Sequence, residues 1–249
     1  MVSDRESGGT HTSRTIQLAE LRSLLSAVPS SAEAIAYRDA VIEQNALGKR
    51  TLNGRQRSHR YLRELYALDP EVLLFRALRD LWDADTQAQP LLAMLCSLAR
   101  DPSLRATASA VLPVGLSQLV TAADLQVARQ ARYPGNYSDA VANKAGRNAA
   151  SSWTQSGHLT GRSGKTRAHA DCRPAAVAYA LLLGHLDGAA GEGLFESLWA
   201  RALDASTGIL HDQAFAASQR GWIEFRYGGG VTDVGFSLLL REPMKGGRP

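Results

Sequence analysis

The stretch KRTLNGRQRSHRYLRELYALD, residues 49–69, places six Lys or Arg and one His in its first fifteen positions, with no carboxylate before Glu64. Like charges repel, so such a run is either a solvated face or a surface that meets an anionic partner. Projected as a helix, Ser58, Tyr61, Leu62, Leu65 and Leu68 share an arc of about 120°, and Arg55, Arg57, His59, Arg60 and Arg63 fall outside it. The stretch therefore predicts a helix with one apolar and one cationic side, opening at an Asn53 cap. Solvated helices usually mix both signs, so a face of one sign favours an anionic partner.

The residues on either side support a helix-turn-helix. Ser30 and Glu33 have the spacing of a capping box and predict a helix through Leu47, with Gly48 as its stop. Five residues, GKRTL, then lead to Asn53, a connection that would present the start of the second helix to a major groove. Lys49, Arg50 and the unpaired N–H groups near Asn53 would lie where phosphates pass. Asn53 and Gln56 are the amides available to base edges, so sequence preference would be weak.

Further along, Asp69-Pro70 and Asp101-Pro102 each predict a helix start. Thr121 caps AADLQVARQARY, the YPGN turn follows, and YSDAVANKAGRNAASSWTQSG reads as a longer helix. On this helix Lys144, Arg147 and Ser151 share one face, and Ala142, Ala145, Ala149 and Trp153 share the other. HLTGRSGKTRAHADCR reads as a hairpin carrying Arg162, Lys165 and Arg167, whose long side chains could reach a nucleic-acid backbone or minor groove. Two helices, PAAVAYALLLGHLDG and EGLFESLWARALD, precede ILHDQAFAASQRG and a closing hairpin, WIEFRYGGGVTDVGFSL, in which apolar and polar residues alternate around three glycines. Helix, helix, hairpin is the outline of a winged helix. The expected fold is mainly α: an arm at 1–15, a helical domain with the basic helix-turn-helix at 16–115, and a winged-helix-like domain with short β-hairpins at 116–249.

Composition agrees with a nucleic-acid partner. The 249 residues are 45% apolar and 21% charged, as in ordinary globular chains. The net charge of +4 is unevenly placed: residues 44–68 hold six basic residues and one acidic, residues 132–173 hold seven and two, and the remainder sums to −6. The longest apolar run, Pro174 to Leu186, is too short to span a bilayer, and no apolar stretch follows the polar start as in a secretory signal. A cytoplasmic protein is expected. Cys96 and Cys172 form no C-x-x-C, no His pair has zinc spacing, and no carboxylates converge with a Lys as a nuclease would need. GRSGKT has Leu159 where a phosphate loop requires Gly. No enzyme, metal or cofactor is expected.

The basic stretch LGKRTLNGRQRSHRYLRELYALD, the segment NKAGRNAASSWTQSGHLTG, the helix AYALLLGHLDG and the closing QRGWIEFRYGGGVTDVGF together resemble the BrxA family, small accessory proteins of BREX phage-defence systems. The resemblance runs from about Ser31 to Phe236. It implies a mostly helical, non-catalytic protein that binds double-stranded DNA beside a methyltransferase and an ATPase. The family's basic turn and helix would correspond to Lys49, Arg50, Arg55, Arg57, Arg60 and Arg63. Part of its helical body is similar to the antitermination factor NusB, which leaves structured RNA open as a ligand. A protein-interaction adaptor docking its basic faces on acidic partner enzymes is the remaining alternative.

Overall fold

The computed structural model describes residues 13–134, 138–162 and 164–243. Positions 1–12 of the expected arm, Gly135 and Asn136 of the YPGN turn, Tyr137 and Ser163 lie outside the described residues. The architecture is mainly α. Two short helices, α1 (Leu18–Ala27) and α2 (Ala34–Ile42), lead into the basic helix α3 (Leu52–Tyr66). α4 (Leu73–Trp82), α5 (Gln89–Arg100) and α6 (Pro102–Ala106) follow, and a 3-10 turn at Thr107–Ala110 ends the first half. The second half runs β1 (Leu119–Val120), α7 (Ala122–Arg132), α8 (Asp139–Gln155), β2 (Leu159–Thr160), β3 (Lys165–Arg167) and α9 (Pro174–Leu186). It closes with α10 (Gly193–Glu196), α11 (Leu198–Arg201), α12 (Thr207–Gln219) and the hairpin β4 (Glu224–Gly228) and β5 (Val231–Gly235).

α5 and α9 form the centre. From Pro174 to Gly184 every residue of α9 is buried, as is every residue of α5 from Leu91 to Ala99. A helix apolar on all sides must be enclosed by others, and α9 packs on α4, α5, α11 and α12. The outer helices carry one apolar stripe, as on α1, where Leu18, Leu21, Leu24 and Leu25 are buried at helical spacing. One hydrophobic cluster draws on both sides of residue 115. Polar clasps join the halves: Tyr179 Oη donates to Leu74 O at 2.9 Å, and Arg241 grips Asp80 with both guanidinium nitrogens at 2.5 and 2.8 Å.

Several helix boundaries follow the sequence signals. Asp101 caps α6 by accepting from the amides of Ser103 and Leu104, and Thr121 with Asp124 forms a complete capping box on α7. Others differ. Glu33 stands at the cap of α2 with no side-chain hydrogen bond, so the Ser30–Glu33 box does not form. α3 is capped by Thr51, whose Oγ1 accepts from Gly54 N at 3.0 Å, which places Asn53 in the first turn. α2 stops at Ile42 because Asn45 takes a left-handed φ of 53° and its Oδ1 accepts from Lys49 N. The connection to α3 is therefore residues 43–51, longer than the expected five-residue turn. Pro70 lies in the turn before α4, and EGLFESLWARALD breaks at Ser197, whose Oγ caps α11.

In the second half, β1, β3 and β2 pair antiparallel in that order, with Leu119 opposite Thr166 and Leu159 opposite Arg167. A strand, two helices and a hairpin whose second strand receives the first make a winged-helix order, with α8 as the helix entering the wing. β1 had no sequence signal, since two residues are too few to alternate. α7 and α8 cross closely at Gly146, where a β-carbon would run into the Ala122 carbonyl oxygen.

The wing is anchored by a buried network. Arg167 is only 4% exposed and bonds Asp204 through Nη2 at 2.5 Å and Nη1 at 3.0 Å, while its Nε donates to Val111 O. His158 is fully buried beside it, its Nε2 3.0 Å from Ala202 O and its Nδ1 2.9 Å from Ser156 Oγ. This geometry suits a neutral ring that donates from Nε2 and accepts at Nδ1. Burial, and then the Arg167 charge, push His158 down to about 4 despite Asp204 and Ala202 pulling the other way. The unfolded chain then binds a proton that the folded chain refuses between pH 6.5 and about 4. The stability this group contributes is whole above pH 6.5 and drains away as pH falls toward 4, by about 3 kcal/mol. Urea midpoints are expected to fall across that window, and His158→Gln is expected to flatten the fall.

Candidate nucleic-acid interface

The basic helix buries Ser58, Leu62, Leu65 and Tyr66; of the predicted apolar side, Leu68 is buried just past the helix end, whereas Tyr61 is only half-buried, so the apolar side is shifted toward Tyr66. Its cations divide into two groups. Lys49 is half-buried and pairs with Glu20 of α1 at 3.2 Å. Arg55 is also half-buried, and its Nη1 donates to Ile42 O at 2.9 Å, tying the end of α2 to α3. These two hold the fold together and do not present a free cation. Arg60 faces Glu64 at 3.8 Å and stacks over Tyr61, with Arg14 on the same ring. Arg50, Arg57 and Arg63 are exposed with no acid or carbonyl partner among the described residues, and Asn53 and Gln56 are exposed beside them. His59 responds to this setting: half-burial lowers its pKa, and Arg63 and Arg38 lower it further.

The second basic segment divides in the same way. On α8, Ala142, Ala145, Ala149 and Trp153 are buried as expected, and Gly146 joins them at the α7 crossing. Lys144 and Arg147 stand exposed with Asn143, which the sequence reading missed although it adjoins Lys144. Arg162 is exposed near the wing tip. Lys165, half-buried, donates from Nζ to Thr154 Oγ1 at 2.7 Å and so fixes the wing to α8. Arg167 differs most from expectation. β3 turns this side chain into the fold, where Asp204 neutralises it, so it cannot reach a ligand.

The two segments meet. Residues 13–17 lie between α3 and α8: Tyr66 Oη donates to Ile16 O at 2.5 Å, Ile16 N donates to Ser152 Oγ at 3.0 Å, and Leu18 N donates to Gln155 Oε1 at 3.0 Å. This clamp leaves a cleft of about 530 Å³ whose walls include Arg14 and Gln17, Asn53 and Arg57 of α3, and Asn148 of α8. Asn148 is one turn from Lys144 on the same helix face, so the exposed cations of α8 adjoin those at the start of α3. Arg14, Gln17 and Asn148 were not anticipated. Asn148, at i+4 from Lys144, was within reach of the helical projection; the other two depend on a clamp that no local pattern announces. A larger cleft, about 1070 Å³, lies elsewhere and includes Asp204 and His169, which belong to the wing anchor.

No group of three or more His, Cys, Asp or Glu among the described residues is placed to hold a metal ion, and no helix among them is long and apolar enough to cross a membrane. No protein-family model and no curated protein matches this chain.

Proposed function

We propose that the protein binds double-stranded DNA without catalysis, using a surface formed by the exposed faces of α8 and α3 and the wing. The observation that carries this reading is the junction at Asn148, which sets two basic segments of an otherwise acidic chain side by side. Arg50, Arg57, Arg63, Lys144, Arg147 and Arg162 supply phosphate contacts. Asn53, Gln56 and Asn143 supply the few groups suited to base edges, so sequence preference is weak. Lys49, Arg55, Lys165 and Arg167 position this surface from behind. A cytoplasmic accessory role in phage defence, beside a methyltransferase and an ATPase, is the biological setting implied by the resemblance to BrxA.

Affinity in this reading comes from counterion release. With about six phosphates neutralised, log K against log salt is expected to fall with a slope near −5. Fluorescence anisotropy with a labelled duplex between 50 and 200 mM salt measures it. A slope flatter than about −2 would remove the phosphate-driven model and favour the adaptor reading. Equal competition by structured RNA would instead favour a ligand of the NusB type.

A further inference from the structure

Gln17 is 6% exposed, lines the cleft between α3 and α8, and leaves its Nε2 buried without a hydrogen-bond partner. A buried amide nitrogen with two unmet N–H groups is costly, and native folds leave few of them. The start of α3 lines the same cleft. Thr51 satisfies Gly54 N, whereas the amides of Leu52 and Asn53 have no acceptor among the described residues. Arg14 and Arg57 add positive charge, and the only carboxylate in the wall among the described residues, Glu20, is paired with Lys49. Among the described residues no apolar or aromatic side chain lines the cleft, so they offer a base nothing to stack on.

We infer that this cleft seats one phosphate group of the nucleic-acid backbone, held by Gln17 Nε2, the first amides of α3 and the Arg57 guanidinium. The inference rests on the DNA-binding reading and adds a discrete anion seat to it. The helix dipole and open amides favour an oxyanion at that position, and Gln17 supplies a donor that a general surface charge would not.

The test uses the full chain with inorganic phosphate as one probe and a labelled duplex as the other, at matched ionic strength. Phosphate is expected to raise the thermal midpoint saturably, and chloride is not. Gln17→Met, which keeps the bulk and removes the donor, is expected to weaken both phosphate and duplex binding by about tenfold. If that variant folds poorly, Asn53→Asp decides. A carboxylate in the first turn favours the helix yet repels an anion, so it should keep the fold and lose phosphate binding. Unaltered phosphate binding in the variant that folds, or none in the parent chain, overturns the seat. Loss of phosphate binding with duplex affinity intact makes the cleft a free-anion site, which overturns the backbone assignment and leaves DNA binding standing. Phosphate binding that depends on Gln17, in a parent chain with no duplex affinity, also overturns the backbone assignment, and DNA binding falls with it.

Discussion

Reversing three charges together, Arg57→Glu, Lys144→Glu and Arg147→Glu, is expected to lower duplex affinity by on the order of 100-fold or more at about 0.1 M salt. The three side chains are exposed and have no acid or carbonyl partner among the described residues, so no ion pair or side-chain hydrogen bond among those residues is lost with them. The circular dichroism spectrum and urea midpoint should therefore remain near those of the parent. Arg201→Glu, Arg220→Glu and Arg226→Glu make the control, since they change the net charge equally at exposed positions outside the proposed surface. A uniform field would penalise both triples alike; a localised surface penalises the first far more. Equal losses would refute the assignment of the surface.

Asp204→Ala is expected to destabilise the fold by about 3–5 kcal/mol, read as a lowered urea midpoint at unchanged slope. The acid is the partner of a guanidinium that is almost wholly buried, and removing it leaves that charge uncompensated among Val111, His158 and Ala168. Removing both charges, with Arg167→Leu and Asp204→Asn, should recover much of the loss, because Asn tolerates the left-handed backbone at position 204 and a buried pair contributes less than either partner's absence costs. The wing is held by this pair, so a mobile Arg162 is a second expected consequence. A single substitution with no effect on stability would show that Arg167 reaches water.

The fold was legible where a signal is local. The apolar spacing of α3 and α9, the Asp101 and Thr121 caps, and the two glycine-centred hairpins all act over a few residues, and the structure follows them. Boundaries shifted where two local signals competed. Thr51 and Asn53 can each cap a helix, and the earlier hydroxyl reaches Gly54 N. Asn45 turns the chain left-handed before the apolar rhythm of α2 runs out. The candidate surface was legible as charge and illegible as orientation. A run of cations does not reveal that Arg55 bends back to Ile42 or that Lys49 finds Glu20, because each partner is set by packing between helices. Arg167 was the hardest case, for its acid lies 37 positions later, in a turn with a left-handed residue.

The clamp on residues 13–17 also orders events during synthesis. Ile16 N–H meets its acceptor in Ser152, 136 positions downstream, and Leu18 N–H meets Gln155. A ribosome must release well over half of the chain before this closure can form, and joining such distant partners is slow compared with coiling a single helix. Until then one wall of the phosphate cleft does not exist. A nascent chain cannot grip DNA with this surface in the way the finished one is proposed to, so truncated products should carry the basic helix without its affinity.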